Sequence, residues 1–203
     1  MSILKNSTMS KTLNLPLTNE EINTLHAEDI IYLSGLLVTG RDEVHHRIVE
    51  EGIAPPLDLR GMAVYHAGPI VRGNNENWEL VSIGPTSSVR LEKWAAGFIE
   101  RTGVKVMIGK GGMGDKTTAA CRALGVIHCV YPGGCAILGA NQIEKIENVF
   151  WPELKMAECM WVMRTFQFGP LIVSIDTHGK NIFAENSTYY FSRKAIEMNN
   201  ILN

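Results

Sequence analysis

From Ile30 onward the chain alternates between short aliphatic runs and stretches with helical spacing. Ile-Ile-Tyr-Leu-Ser-Gly-Leu-Leu-Val over 30–38 reads as a strand, and a polar helix follows over 42–51. Strands over 62–70 and 78–83 come next, joined by a polar loop through Gly73, Asn74 and Asn75 that suits a hairpin-like return. Leu91, Trp94, Ala95, Phe98 and Ile99 form one apolar helical stripe, which Gly103 stops. The pattern then predicts a strand over 104–108, a helix over 116–124, a strand over 126–131 and a helix over 135–149. Two β-like runs over 160–166 and 171–175 follow, with Asp176-Thr-His-Gly179 as a turn and a closing helix from Tyr189. Near the start, Thr18-Asn-Glu-Glu21 has the spacing of a capping box and opens a short helix. The first residues predict a flexible N-terminus over 1–12, followed by a single domain over 13–203. Alternation in the middle, with paired β runs at both ends, predicts an α/β domain: a mixed sheet with helices packed on it.

Composition narrows the function classes. With 203 residues, 45% of them hydrophobic and 20% charged, the chain can bury a sizeable core as one domain. A net charge of −2 offers no basic surface to nucleic acid or an anionic membrane. The longest uncharged stretch, 123–143, is broken by Gly125, Pro132, Gly133, Gly134 and Gly139, and reads as strand, turn and helix, not as a membrane span. The N-terminal residues lack the apolar core and small-residue cleavage site of a secretory signal, so a cytoplasmic protein is expected. Cys121, Cys129, Cys135 and Cys159 form no C-x-x-C and fit neither zinc-ribbon nor ferredoxin spacing. Buried free thiols are expected, with no metal cluster held by this chain alone.

The placement of positive charge is more informative. Arg41 follows the first long strand and starts the next helix; Arg90 lies in the first turn of the Leu91 helix, after Gly84-Pro-Thr-Ser-Ser88; Lys110 lies in Gly109-Lys-Gly-Gly-Met-Gly114. A cation at a helix N-terminus opposes the macrodipole and costs about 0.3–1 kcal/mol. One such residue is ordinary, a solvated side chain or a partner of a local carboxylate. Three at three strand-to-helix junctions are better explained by an anion, since ligands of open α/β sheets bind where those junctions collect. Gly109-x-Gly111-x-x-Gly114 also matches a dinucleotide fingerprint, but the following strand ends in Val130-Tyr-Pro-Gly-Gly134 without the acidic residue a ribose requires. Thr39-Gly-Arg-Asp42 has capping-box spacing, so Asp42 serves the helix start or forms a proton-handling pair with His45 beside Arg41. Thr86 and Ser87 serve as N-caps, or present a hydroxyl whose ionised form neighbouring cations favour. His66 and His178 read as isolated structural histidines.

Five stretches together carry a family resemblance: Thr39-Gly-Arg-Asp-Glu-Val-His45, His66-Ala-Gly-Pro-Ile70, Gly84-Pro-Thr-Ser-Ser-Val-Arg90, Gly109-Lys-Gly-Gly-Met-Gly114 and Phe168-Gly-Pro-Leu-Ile-Val-Ser-Ile-Asp-Thr-His-Gly179. They resemble the β subunit of the class I iron–sulfur hydro-lyases, which comprise class I fumarases and L(+)-tartrate dehydratases. The likeness runs from Leu13 to beyond Asn186, and the last stretch is closer to the tartrate dehydratase branch. It implies a swivelling β/β/α domain that closes over an active site on a cysteine-bearing α subunit, in an α2β2 assembly. A [4Fe–4S] cluster would then be held by that partner and not by this chain. Residue by residue it implies substrate-carboxylate contacts from Arg41, Arg90 and Lys110, a hydroxyl base at Thr86, and Ser87 where a second threonine is common. Asp42 and His45 match the family's Arg-Asp-x-x-His element and carry an implied acid/base role. The expected activity is dehydration of a 2-hydroxydicarboxylate, L(+)-tartrate or L-malate. The alternative is a stand-alone anion-binding or regulatory module without a catalytic partner.

Overall fold

The computed structural model describes residues 10–74 and 77–202. Its framework is one mixed seven-stranded sheet. β1 (Lys11–Asn14) runs parallel to the first half of β2 (Ile30–Thr39), and α1 (Asn19–Asn23) lies between them, opened by the expected Thr18–Glu21 capping box. β1 starts inside the stretch expected to be flexible; residues 1–9 of that stretch lie outside the described residues. After α2 (Asp42–Val49), the parallel strands β3 (Ala63–Tyr65), β6 (Val106–Gly109) and β7 (Ile127–Val130) stack beside β2 in turn. The registers place Thr39, Tyr65, Ile108 and Cys129 in one row across the sheet. The residues that follow these four strands are therefore neighbours in space.

β4 (Ala67–Asn74) and β5 (Asn77–Pro85) leave the sheet as a separate antiparallel hairpin. Residues 62–70 are thus two strands. The break falls at His66, whose N–H donates to the Ile108 carbonyl at 2.7 Å while its own carbonyl accepts from Thr86 N at 2.6 Å. A 3₁₀ turn (Ser88–Leu91) leads into α3 (Glu92–Thr102), which Gly103 ends at φ 67°, a left-handed conformation that suits glycine. α4 (Asp115–Leu124) joins β6 to β7 as the strand–helix rhythm requires.

The helix expected over 135–149 is a correction. α5 (Ala136–Asn141) is short, and Ile143–Phe150 forms β8, antiparallel to β9 (Met160–Ile175). Glu144, Lys145 and Glu147 favour helix locally, but an edge strand tolerates outward charge and β9 supplies a free ladder. The two runs over 160–166 and 171–175 are one strand, because pairing to β2 carries the ladder across Phe168. β9 also pairs with β7, which closes β2, β3, β6, β7 and β9 into a ring. The last helix, α6 (Ile182–Leu202), starts earlier than Tyr189 because the Asn181 side chain accepts from Phe183 N and Ala184 N. Among the described residues no helix is long and apolar enough to cross a membrane.

Alternation along the strands sorts the core into two layers. Ile31, Leu33, Leu37, Tyr65, Val106, Ile108, Ile127, Phe168 and Val173 pack with the hairpin residues Val71 and Ile83. Val38, Val64, Met107, Val162 and Ile175 face the other way, under Val44 and Ile48 of α2, Phe98 and Ile99 of α3, and Cys121 of α4. The order of layers is hairpin, sheet, helices. The Phe168 ring stacks on Tyr131 with centroids 5.0 Å apart and meets Tyr65 edge-on at 5.2 Å, joining β9 to β7 and β3 at the ring's closure. Phe168→Ala is expected to lower unfolding free energy by about 3–5 kcal/mol, measured by urea denaturation; a loss below 1 kcal/mol would show that the closure does not depend on this packing.

Candidate active site

The row of strand ends collects the residues singled out in the sequence. Arg41 occupies the N-cap position of α2, just past β2. Thr86 and Ser87 continue β5 toward the end of β6, where Lys110 N donates to the Thr86 carbonyl at 3.0 Å and Ser88 N to the Lys110 carbonyl at 3.0 Å. Arg90, two residues on, reaches α2 and pairs with Asp42 at 2.6 Å. Arg41, Asp42, Thr86, Ser87, Arg90 and Lys110 therefore belong to one edge of the fold, at three adjoining junctions.

Their electrostatic states differ. Arg41 is half-buried and pairs with Glu158 at 3.0 Å, and the other oxygen of Glu158 accepts from Glu43 N in the first turn of α2 at 3.2 Å. That carboxylate offsets the cost of a cation at a helix start and satisfies one of the free amides. A Cβ at Gly68 would come within 2.7 Å of Arg41 Nη1, so glycine there gives the guanidinium its room. Lys110 is exposed and has no carboxylate partner among the described residues. Ser87 makes no side-chain cap bond, and the Thr86 hydroxyl is likewise without a hydrogen bond among the described residues. One cation and two hydroxyls are thus unengaged beside two arginines that already hold carboxylates.

Several local expectations need correction. Thr39 does not cap α2: its hydroxyl donates to the Cys159 carbonyl at 3.3 Å and accepts from Trp161 N at 3.0 Å, tying β2 to β9. Asp42 and His45 do not form a pair. The His45 ring is fully buried, stacked on Phe98 at 4.1 Å, and its Nδ1 faces the Arg41 carbonyl at 2.9 Å. Burial pushes its pKa down to about 4, so it is a neutral support behind Arg41 and does not reach the exposed edge. His66 is not isolated, since its Nδ1 lies 3.0 Å from Ser88 Oγ and its ring 5.3 Å from that of His45. Ser88, His128, Glu158 and Glu92 were not singled out by sequence reasoning, because each acts through a partner more than twenty residues away.

Glu92 bears on the glycine motif. Its carboxylate accepts from Gly114 N at 2.7 Å, Thr117 N at 3.1 Å and Thr117 Oγ1 at 2.6 Å. The amides that would cradle a pyrophosphate at the start of α4 are already occupied, which counts against the dinucleotide reading. The cysteines other than Cys135 are poorly placed as ligands of an iron–sulfur cluster. Cys121, Cys129 and Cys159 are buried, and burial pushes Cys121 up to about 12 and Cys159 to about 11, away from the thiolate that binds metal. Among the described residues no three His, Cys, Asp or Glu side chains gather as a metal site.

The fold and this edge define a β/β/α domain that presents cations and hydroxyls at the carboxyl ends of parallel strands. The chain belongs to the family described as fumarase C-terminus, whose model matches residues 3–186. It is 50% identical over 186 residues to the L(+)-tartrate dehydratase subunit beta of Escherichia coli (strain K12), covering 92% of each chain. A putative L(+)-tartrate dehydratase subunit beta of Methanocaldococcus jannaschii is 40% identical, over 87% of this chain and 92% of that one. A putative fumarate hydratase class I of Geobacillus stearothermophilus is 36% identical over 84% of this chain, which spans 33% of that longer protein.

The buried histidines make stability depend on pH. Burial lowers His45 to about 4 and His128 to about 3, from the ordinary 6.5. As pH falls below 6.5 the unfolded chain takes up protons that the folded chain refuses, so each histidine removes about 1.4 kcal/mol of stability per pH unit down to its folded value. The urea midpoint is expected to be clearly lower at pH 5 than at pH 7; equal midpoints would contradict neutral, buried imidazoles.

Proposed function

We propose that this chain is the β subunit of a hydro-lyase that removes water from a 2-hydroxydicarboxylate, with L(+)-tartrate as the first substrate and L-malate as the second. The observation that carries the reading is the convergence of Arg41, Arg90 and Lys110 on one edge with the free hydroxyl of Thr86. A dicarboxylate brings two negative charges, and cations from separate junctions can hold both ends. The names of the relatives support the substrate class and a second, α-type subunit, which we assign the [4Fe–4S] cluster.

Removing the C3 proton builds charge toward the adjacent carboxylate, so Lys110 and Arg90 at that carboxylate stabilise the transition state more than the bound substrate. Thr86 Oγ1, whose ionised form these cations favour, takes the proton. The C3–H electron pair becomes the C2=C3 bond as the C2–O bond breaks and the hydroxyl leaves as hydroxide, to which Thr86 passes the proton it took, giving water and restoring the ionised hydroxyl. From tartrate the product is the enol of oxaloacetate, which tautomerises to the ketone; from malate it is fumarate. Arg41 holds the far carboxylate, which displaces Glu158 from the guanidinium. Asp42 releases Arg90 in the same way, and Ser87 hydrogen-bonds a substrate carboxylate. On this reading Asp42 acts as a counter-ion instead of a base, and His45 as the support beneath Arg41.

The test is anaerobic co-expression with an adjacent α-type gene, iron reconstitution, and turnover on L(+)-tartrate and L-malate in parallel. In that complex Thr86→Val, Arg90→Ala and Lys110→Ala are each expected to lower kcat/KM by about 10²–10³ without shifting Tm. Wild-type turnover in all three would overturn the assignment. No turnover on either acid, from a complex with an intact cluster, would favour the anion-binding module.

A further inference from the structure

Beneath the free hydroxyls of Thr86 and Ser87 lies a hydrogen-bonded chain of fully buried side chains. Ser88 Oγ is 3.0 Å from His66 Nδ1 and 3.0 Å from His128 Nε2, and His128 Nδ1 is 2.6 Å from Ser174 Oγ. All four residues are 0% exposed. The direction of each bond follows from the far end. Ser174 Oγ donates its single proton to the His128 carbonyl at 3.1 Å, so toward the His128 ring it can only accept. His128 therefore carries its proton on Nδ1, and its bare Nε2 accepts from the Ser88 hydroxyl. Ser88 Oγ, having donated, accepts from His66 Nδ1–H, which leaves His66 Nε2 bare. His45 reaches the same form independently, because its Nδ1 faces the Arg41 carbonyl, a group that only accepts. The Nε2 atoms of His45 and His66 are both buried without a partner.

This arrangement is expensive as mere packing. Apolar side chains of similar volume would fill the same space without two orphaned nitrogens. What it does instead is orient the turn that carries the site. His66 grips that turn twice, its carbonyl accepting from Thr86 N and its imidazole donating to Ser88, while its own N–H is anchored on the Ile108 carbonyl of β6. Gly109 lies so close to Ser88 Oγ and His66 Nδ1 that a Cβ there would collide with the hydroxyl, which holds the end of β6 and Lys110 against the same turn.

We propose that the Ser174–His128–Ser88–His66 relay is a positioning device for the reaction. By fixing one proton arrangement it sets the 3₁₀ turn so that Thr86, Arg90 and Lys110 act on one substrate. Its kinetic consequence rests on the hydro-lyase reading; its proton arrangement is a property of the chain alone.

The two parts are tested separately. In the full chain labelled with 15N-histidine, NMR is expected to find His66, His128 and His45 protonated on Nδ1 and bare on Nε2, the minority form of free imidazole. A proton on Nε2 of His66 or His128 would overturn the relay. In the reconstituted complex, Ser88→Ala is expected to lower kcat by about 10²-fold with KM within about twofold, the signature of a misplaced turn. Ser174→Ala, at a residue that among the described residues hydrogen-bonds only His128 through its side chain, is expected to move kcat in the same direction. Folded variants with wild-type kcat would reduce the relay to packing. If the wild-type complex turns over neither acid, the hydro-lyase reading and the kinetic role fall together, while the NMR result still decides the relay.

Discussion

One side of β9 pairs with β2 along most of its length, while the other side pairs first with β8 and then with β7. That double ladder closes the sheet, and the rest of the structure depends on it. With the ring closed, β2, β3, β6 and β7 are locked in the register that sets Thr39, Tyr65, Ile108 and Cys129 in a row. The loops after those residues then have no choice of neighbours. Arg41, His66, Lys110 and Tyr131 lie one or two residues past the row, so register alone brings them to one edge.

The polar residues at this edge divide by depth. At the surface, each arginine is matched to a carboxylate, Arg41 to Glu158 and Arg90 to Asp42, while Lys110 stays free. Such half-exposed pairs are weak and screened, so an incoming carboxylate can replace them at little cost. One layer down, the histidines are neutral because burial disfavours the charged form, and their hydrogen bonds are directional where the ion pairs are not. The exposed layer can therefore exchange partners while the buried layer keeps its geometry. On the proposed reading, a site that binds and releases a dianion benefits from that division.

Much of the middle of the fold was legible because strands and helices there differ in period, and the amphipathic stripe ending at Gly103 is an example. The 135–149 stretch misled because Glu144, Lys145 and Glu147 carry helical propensity, whereas the partner that makes β8 a strand lies in β9. His66 reads as isolated for the same reason: its partner Ser88 lies 22 residues on, and His128, which Ser88 also contacts, a further 40. Thr39 shows the limit of a local motif. Its capping-box spacing is real, but its hydroxyl serves Cys159 and Trp161 across the sheet.

The sequence by itself determined the α/β class, the cations at strand-to-helix junctions and the family motifs, because periodicity and motif spacing are local properties of a chain. Tertiary structure alone decided that the three junctions adjoin, that Asp42 faces Arg90 and not His45, that Glu92 fills the start of α4, and that Ser88 joins the buried His66 and His128. Each of those facts is a pairing between residues far apart in the chain. Pairings of that kind are set by sheet register and burial, which exist only once the ring has closed.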